Sequence, residues 1–106
     1  MSDLTFLQSW FKRNCDEDWE HEYGIRVEST DNPGWSVEVD LVDTDVEGRL
    51  LSRQKLTPDA GRWAWVWSDG DCFHGACDPL SLDVVLRQFR AFVEEQGPMV
   101  SEEGGR

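Results

Sequence analysis

The sequence predicts an α+β fold, in which an antiparallel meander of about four to five strands carries an N-terminal and a C-terminal helix packed on one face. Apolar residues recur at helical spacing near both ends of the 106-residue chain, and alternating apolar and polar residues fill the middle between short turns. Strands joined by short turns form antiparallel sheets that helices can cover. At this length we expect one domain, residues 1–98, and a flexible C-terminal tail, residues 99–106.

Two amphipathic helices are predicted, one near each end of the chain. The first spans about residues 3–14, and Ser2 or Asp3 can cap its start. The second spans about residues 82–95, with Ser81 as a candidate N-cap and Gly97-Pro98 as a stop signal. The apolar residues at helical spacing are Leu4, Leu7, Trp10 and Phe11 in the first helix and Leu82, Val85, Leu86, Phe89, Phe92 and Val93 in the second.

Five strands are predicted between the helices. Residues 23–28 and 35–41 alternate in polarity on either side of the turn at residues 31–34, which makes a hairpin with an acidic outward face. In that turn we expect Gly34 at positive φ. A weaker alternation indicates a third strand over residues 50–56. Asp69-Gly70 then separates a fourth strand around residues 63–67 from a fifth that begins at Cys72.

Three tryptophans alternate along the fourth strand, so their indoles share one face. Because large aromatics dominate the cores of small proteins, we expect Trp63, Trp65 and Trp67 to lie under the helices. The alternative is an exposed aromatic platform for a partner. A surface that stacks nucleic acid bases would need surrounding lysines and arginines, and only Arg62 is adjacent.

Negative charge is concentrated in one third of the chain. Residues 16–47 hold 12 acidic residues against the single Arg26, and so carry −11 of the formal net charge of −12. Aromatic and β-branched residues interrupt the acids, which distinguishes this stretch from a disordered acidic tail. Such a surface repels nucleic acid and anionic membranes and attracts a basic partner, although a solvated face that only aids solubility is the alternative. The candidate partner-binding residues are Asp16, Glu17, Asp18, Trp19, Glu20, Glu22, Asp43, Asp45 and Glu47, of which Trp19 is either an aromatic anchor or core.

No catalytic or metal site is predicted. Cys72-x-His74-x-x-Cys77 fits zinc spacing poorly, because strand alternation places Cys72 and His74 together and leaves Cys77 beyond them. A thiol nucleophile needs an electropositive setting, whereas Cys15 is followed by three acids. Phosphate-loop, calcium-loop and hydrolase motifs are absent from the sequence. We therefore expect a protein that is not an enzyme and that takes no metal or cofactor.

The sequence also predicts a cytoplasmic location. Three cysteines are an odd number, which favours free thiols in a reducing compartment. The acidic N-terminus lacks the features of a secretory signal, and no apolar run approaches the length of a membrane span.

Two segments resemble the immunity protein 53 family. Residues 15–24 are similar to the family's Cys-x-Gly-x-Trp-Glu-His-x-Tyr-Gly stretch, with Glu17 in place of the glycine, and residues 31–35 are similar to its Asp-Asn-Pro-Gly-Trp block. The resemblance covers about residues 4–93. It implies an antidote of a bacterial polymorphic toxin system, encoded beside a secreted toxin and binding that toxin's catalytic domain in the producer's cytoplasm.

The resemblance also implies a partner. Many such toxins are nucleases, whose active faces are basic because their substrate is rich in phosphate. The shared motifs themselves can be contact surface or scaffold. The alternative function is an acidic protein–protein adaptor or nucleic-acid mimic in another pathway, and the oligomeric state stays open.

Overall fold

The computed structural model describes residues 1–95 and has an α+β fold. Its elements, in chain order, are α1 (Asp3–Asn14), α2 (Trp19–Glu22), β1 (Ile25–Thr30), β2 (Gly34–Asp40), β3 (Leu50–Leu56), β4 (Ala64–Asp69), β5 (Cys72–Cys77) and α3 (Leu82–Glu94). The one-turn helix α2 forms in a segment for which no helix was predicted from the sequence. The predicted stop signal at Gly97-Pro98 and the predicted flexible tail at residues 99–106 lie outside the described residues.

The sheet has five antiparallel strands in the order β1-β2-β5-β4-β3. The predicted fold class, an antiparallel sheet with an N-terminal and a C-terminal helix, is confirmed. The strand order of a simple meander is wrong, because β5 lies between β2 and β4. The nine residues 41–49 between β2 and β3 are too long for a tight turn. They carry the chain away from β2, so β3 becomes an edge strand.

The core lies between the two long helices and one face of the sheet. Trp10 of α1, Phe89 of α3 and Phe73 of β5 are almost fully buried. The ring centroid of Phe89 lies 5.1 Å from that of Trp10 and 5.2 Å from that of Phe73, both in edge-to-face geometry. Rings packed in this way join both helices to the centre of the sheet.

β4 turns its small residues, not its tryptophans, toward the helices. Ala64 and Val66 are fully buried, whereas Trp65 and Trp67 lie on the opposite face and are partly exposed. The guanidinium carbon of Arg53 lies 4.6 and 4.7 Å from their ring centroids. The prediction that the indoles of the three tryptophans lie under the helices is wrong for Trp65 and Trp67, and Trp63, which precedes β4, is likewise only partly buried. Alternation places them on one face but does not say which, and the phenylalanines of β5 and α3 already fill the helical side.

Two local predictions at turns and caps are corrected. Ser81 precedes α3 but its hydroxyl does not cap the helix; it donates instead to the Asp78 carboxylate at 2.6 Å. Gly34 does not take a positive φ. It is needed for another reason, because a Cβ at this position would overlap the carbonyl oxygen of Cys77 on the neighbouring strand.

Candidate partner-binding surface

Acidic residues from three parts of the chain meet at one end of the sheet. Ile25 at the start of β1 pairs with Val39, so the segment before β1 and the connection after β2 lie at the same end. Cys72 at the start of β5 pairs with Asp40, which adds the β4–β5 turn. We call residues 16–22, 43–47 and 69–71 the acidic end. They hold five, three and two of the 22 acidic residues, and no lysine or arginine.

Trp19 joins the first two of these segments from beneath. Its side chain is buried, with 4% of its surface exposed, and its ring packs edge-to-face on Trp10. Its Nε1 donates a hydrogen bond of 2.8 Å to the carbonyl oxygen of Val42. The sequence left Trp19 open as an aromatic anchor or as core, and a ring this buried offers little surface to a partner. The structure therefore favours the second alternative, in which Trp19 is a residue of the hydrophobic core.

The carboxylates of Asp16 and Glu20 fold the first segment by accepting hydrogen bonds from nearby backbone N–H groups. The Asp16 carboxylate accepts from the backbone N–H groups of Trp19 at 2.8 Å and Asp18 at 2.9 Å. The Glu20 carboxylate accepts from those of Asp16 at 3.0 Å and Glu17 at 2.9 Å. This arrangement resembles a capping box at the start of α2. Hydrogen bonds from the backbone N–H groups of Trp19 and Asp18 lower the pKa of the Asp16 carboxyl. In the same way, the N–H groups of Glu20 itself, Asp16 and Glu17 lower the pKa of the Glu20 carboxyl.

Glu17 has a backbone conformation that favours glycine. Its φ is +81°, in the left-handed region that residues with a Cβ enter only at a cost. The stretch that this segment resembles has glycine at the same place. The turn before α2 therefore explains that glycine, and Glu17 carries its charge on a strained backbone.

The connection after β2 is tied to the core and to the β4–β5 turn. Asp45 accepts a hydrogen bond of 3.1 Å from Trp10 Nε1 and pairs with Arg13 at 3.2 Å. The backbone N–H of Leu41 donates to the carbonyl oxygen of Asp71, and that of Gly48 donates to the carbonyl oxygen of Gly70, both at 2.8 Å. The Glu47 carboxylate accepts from the Asp43 N–H at 3.2 Å. These bonds hold the loop in place although it has no regular secondary structure.

Four of the predicted contact residues have exposed carboxylates that no other residue of the described part of the chain contacts through a hydrogen bond or an ion pair. Within residues 1–95, no hydrogen bond or ion pair involves the carboxylates of Glu17, Asp18, Glu22 and Asp43, and all four residues are exposed. Burial, and then the carboxylates of Glu22, Asp43, Asp40 and Glu47, raise the pKa of the Tyr23 hydroxyl. Acids from both segments thus act on one partly buried group between them.

Sequence reasoning missed the acids of the β4–β5 turn. Asp69 accepts hydrogen bonds from the N–H groups of Asp71 and Cys72, and these lower its pKa with help from His74. Asp71 is exposed beside Leu41. The Asp-Gly dipeptide in the sequence predicted this turn. Its place at the acidic end follows only from the pairing of β2 with β5.

The residues of the candidate zinc motif, Cys72, His74 and Cys77, do not share one face of the sheet. Cys72 and His74 project on the open face of the sheet, whereas Cys77 projects on the helical face. Among residues 1–95, no three histidine, cysteine, aspartate or glutamate side chains are placed to hold a metal ion. Burial raises the pKa of Cys72 and Cys77 to about 11, and burial with Glu20 and Asp16 raises that of Cys15. All three are free thiols with little thiolate at neutral pH.

A comparison with known families matches nearly all of the described residues. The family model described as immunity protein 53 matches residues 4–94, from α1 to the end of α3. The chain belongs to the immunity protein 53 family. No curated protein and no solved structure matches this chain. Its helices within residues 1–95 are all too short or too polar to cross a lipid bilayer.

Proposed function

We propose that this immunity protein neutralises a cognate bacterial toxin domain by binding it through the acidic end, with no catalysis of its own. The observation that carries the proposal is the hydrogen bond between Trp19 and Val42, which holds two acidic segments side by side on a buried frame. Like charges repel, so placing them together costs free energy of folding. Acids that served only solubility would be better spread over the surface.

The acidic end suits a basic partner. A toxin that acts on nucleic acid needs a positively charged active face. The exposed carboxylates of Glu17, Asp18, Glu22 and Asp43 can steer such a face into contact and exclude its phosphate-rich substrate. Binding would take place in the cytoplasm of the producing cell, where the toxin would otherwise act on the cell's own molecules.

Co-expression with the toxin domain encoded beside this gene tests the proposal. We expect growth to be restored and the purified protein to bind a catalytically inert toxin domain as a stable complex. Restored growth without any complex would contradict it. So would an enzymatic activity that disappears in Cys15→Ala or His21→Ala, because the proposal assigns no chemistry to either side chain.

A further inference from the structure

An apolar groove lies between α1 and the edge strand β1. Leu7, Gln8, Phe11 and Ile25 line it, and its volume is about 250 Å³. Phe11 is 37% exposed at its mouth. Leu4, two helical turns before Phe11, and Val27, on the same face of β1 as Ile25, extend the apolar surface with 54% and 41% of their areas exposed.

The groove adjoins the acidic end. The Phe11 ring centroid lies 5.9 Å from that of Trp19, which is the first residue of α2. On the other wall, Ile25 follows Tyr23 by two residues, and the Tyr23 ring lies 6.3 Å from Trp19. A side chain that enters the groove therefore brings its neighbours in sequence against Asp16–Glu22.

The size of the groove selects its occupant. Small-molecule pockets usually have volumes of roughly 300–1,000 Å³, whereas a cavity of about 150 Å³ holds benzene. One leucine, phenylalanine or tryptophan side chain fits a groove of about 250 Å³. Apolar pockets with a charged rim are where binding energy concentrates in protein interfaces.

We propose that this groove receives one apolar or aromatic side chain of the toxin domain, carried next to lysine or arginine residues that contact the acidic end. The inference rests on the proposed function, and charge decides the occupant. A second copy of this chain carries a formal charge of −12 and would be repelled. A segment that places an apolar side chain between basic residues complements both the groove and its rim.

A tryptophan introduced at the groove tests the proposal. Gln8 is exposed and lines the groove, so Gln8→Trp fills the space without removing a core contact. The matched control is Ser9→Trp, which adds the same side chain at the next exposed position, outside the groove lining. With the inert toxin domain we expect Gln8→Trp to dissociate about 10- to 100-fold faster with an unchanged association rate, and Ser9→Trp to behave as wild type.

A second pair of variants covers the case in which Gln8→Trp fails to fold. Ile25→Thr removes apolar surface from the groove but keeps a β-branched side chain. The control Leu50→Thr removes apolar surface of similar size at a 71% exposed strand position outside the groove. We expect faster dissociation for Ile25→Thr alone. Wild-type or tighter binding by the groove variants would overturn the inference. In that case the wild-type protein would still restore growth. The two measurements therefore distinguish an error in the groove proposal from an error in the proposed function.

Discussion

The indole nitrogen of Trp19 donates a 2.8 Å hydrogen bond to the carbonyl oxygen of Val42, 23 residues further along the chain. This bond joins α2 to the connection that follows β2. Beside it, Trp10 Nε1 donates to Asp45 at 3.1 Å. Two core tryptophans thus use the only polar atom of each side chain to position acidic segments, so the placement of the surface charge depends on buried packing.

Trp19→Phe should weaken this link while keeping an aromatic ring in place. Loss of the N–H leaves the Val42 carbonyl without its partner, which costs about 1–2 kcal/mol in the free energy of unfolding. Denaturant titration measures this loss. The control is Trp35→Phe, because Trp35 Nε1 donates to the Pro79 carbonyl at 3.1 Å at the opposite end of the sheet. Only Trp19→Phe should also weaken toxin binding, and equal effects of both variants on affinity would refute the link.

Glu17→Gly should stabilise the protein by about 1 kcal/mol, because glycine enters the left-handed region without a Cβ clash. The control is Asp18→Gly, which removes the same charge at a residue with a φ of −124°. That control should destabilise the protein, because glycine relieves no strain at this position and increases the conformational entropy of the unfolded chain. Thermal unfolding of both variants compares them. If Glu17→Gly proves less stable than wild type, backbone strain does not explain the family's glycine.

Asp78 should make stability depend on pH below about pH 4. Its burial raises the pKa of the carboxyl, but hydrogen bonds from Ser81, Trp63 and Leu80, together with Arg62, outweigh burial and lower it beneath the ordinary 3.8. A lowered pKa in the folded state stabilises the fold above the unfolded pKa, and this contribution is lost as the pH falls through the folded value.

Asp78→Asn should therefore be less stable than wild type at pH 7 and should lose less stability on acidification. Urea titrations between pH 2 and pH 7 would follow both proteins. Asp31→Asn, at an exposed turn residue, is the control and should track wild type. If the free energy of unfolding falls with pH equally in wild type and Asp78→Asn, Asp78 does not cause the pH dependence.

Short-range patterns predicted the elements well. The apolar spacing of α1 and α3 placed both helices within about one residue of their observed bounds, and β3 has the predicted bounds. Helical and strand periods are local properties, so a single sequence reveals them. The one-turn α2 was missed because it depends on hydrogen bonds from backbone N–H groups to the carboxylates of Asp16 and Glu20 rather than on periodicity.

Long-range relationships were less accessible from sequence. The alternation of Trp65 and Trp67 does not say which face of the sheet packs on helices, and their contacts with Arg53 became visible only in three dimensions. Likewise, the pairing of β2 with β5 brings Asp71 to the acidic end. The sequence predicted a dense acidic cluster, and its role as a contact surface stays a prediction. The division of its residues into structural carboxylates, such as Asp16, and carboxylates without partners required the hydrogen bonds.

The association rate with the inert toxin domain tests the central claim, electrostatic steering by the acidic end. The test variant combines Glu17→Gln, Asp18→Asn and Asp43→Asn, whose carboxylates make no hydrogen bond or ion pair within residues 1–95, so the fold should be retained. The control combines Glu28→Gln, Asp31→Asn and Asp83→Asn, which remove the same charge near the opposite end of the sheet.

Stopped-flow mixing of each protein with the inert toxin domain, over a series of salt concentrations, is the decisive measurement. Salt screens exposed charges over roughly 8 Å at physiological ionic strength, so the differences should be largest at low salt. We predict that the test variant associates about 10-fold more slowly at low salt, with a shallower dependence on salt, while the control stays near wild type. Equal rates for the test and control variants at low salt would contradict the claim that the acidic end guides the toxin.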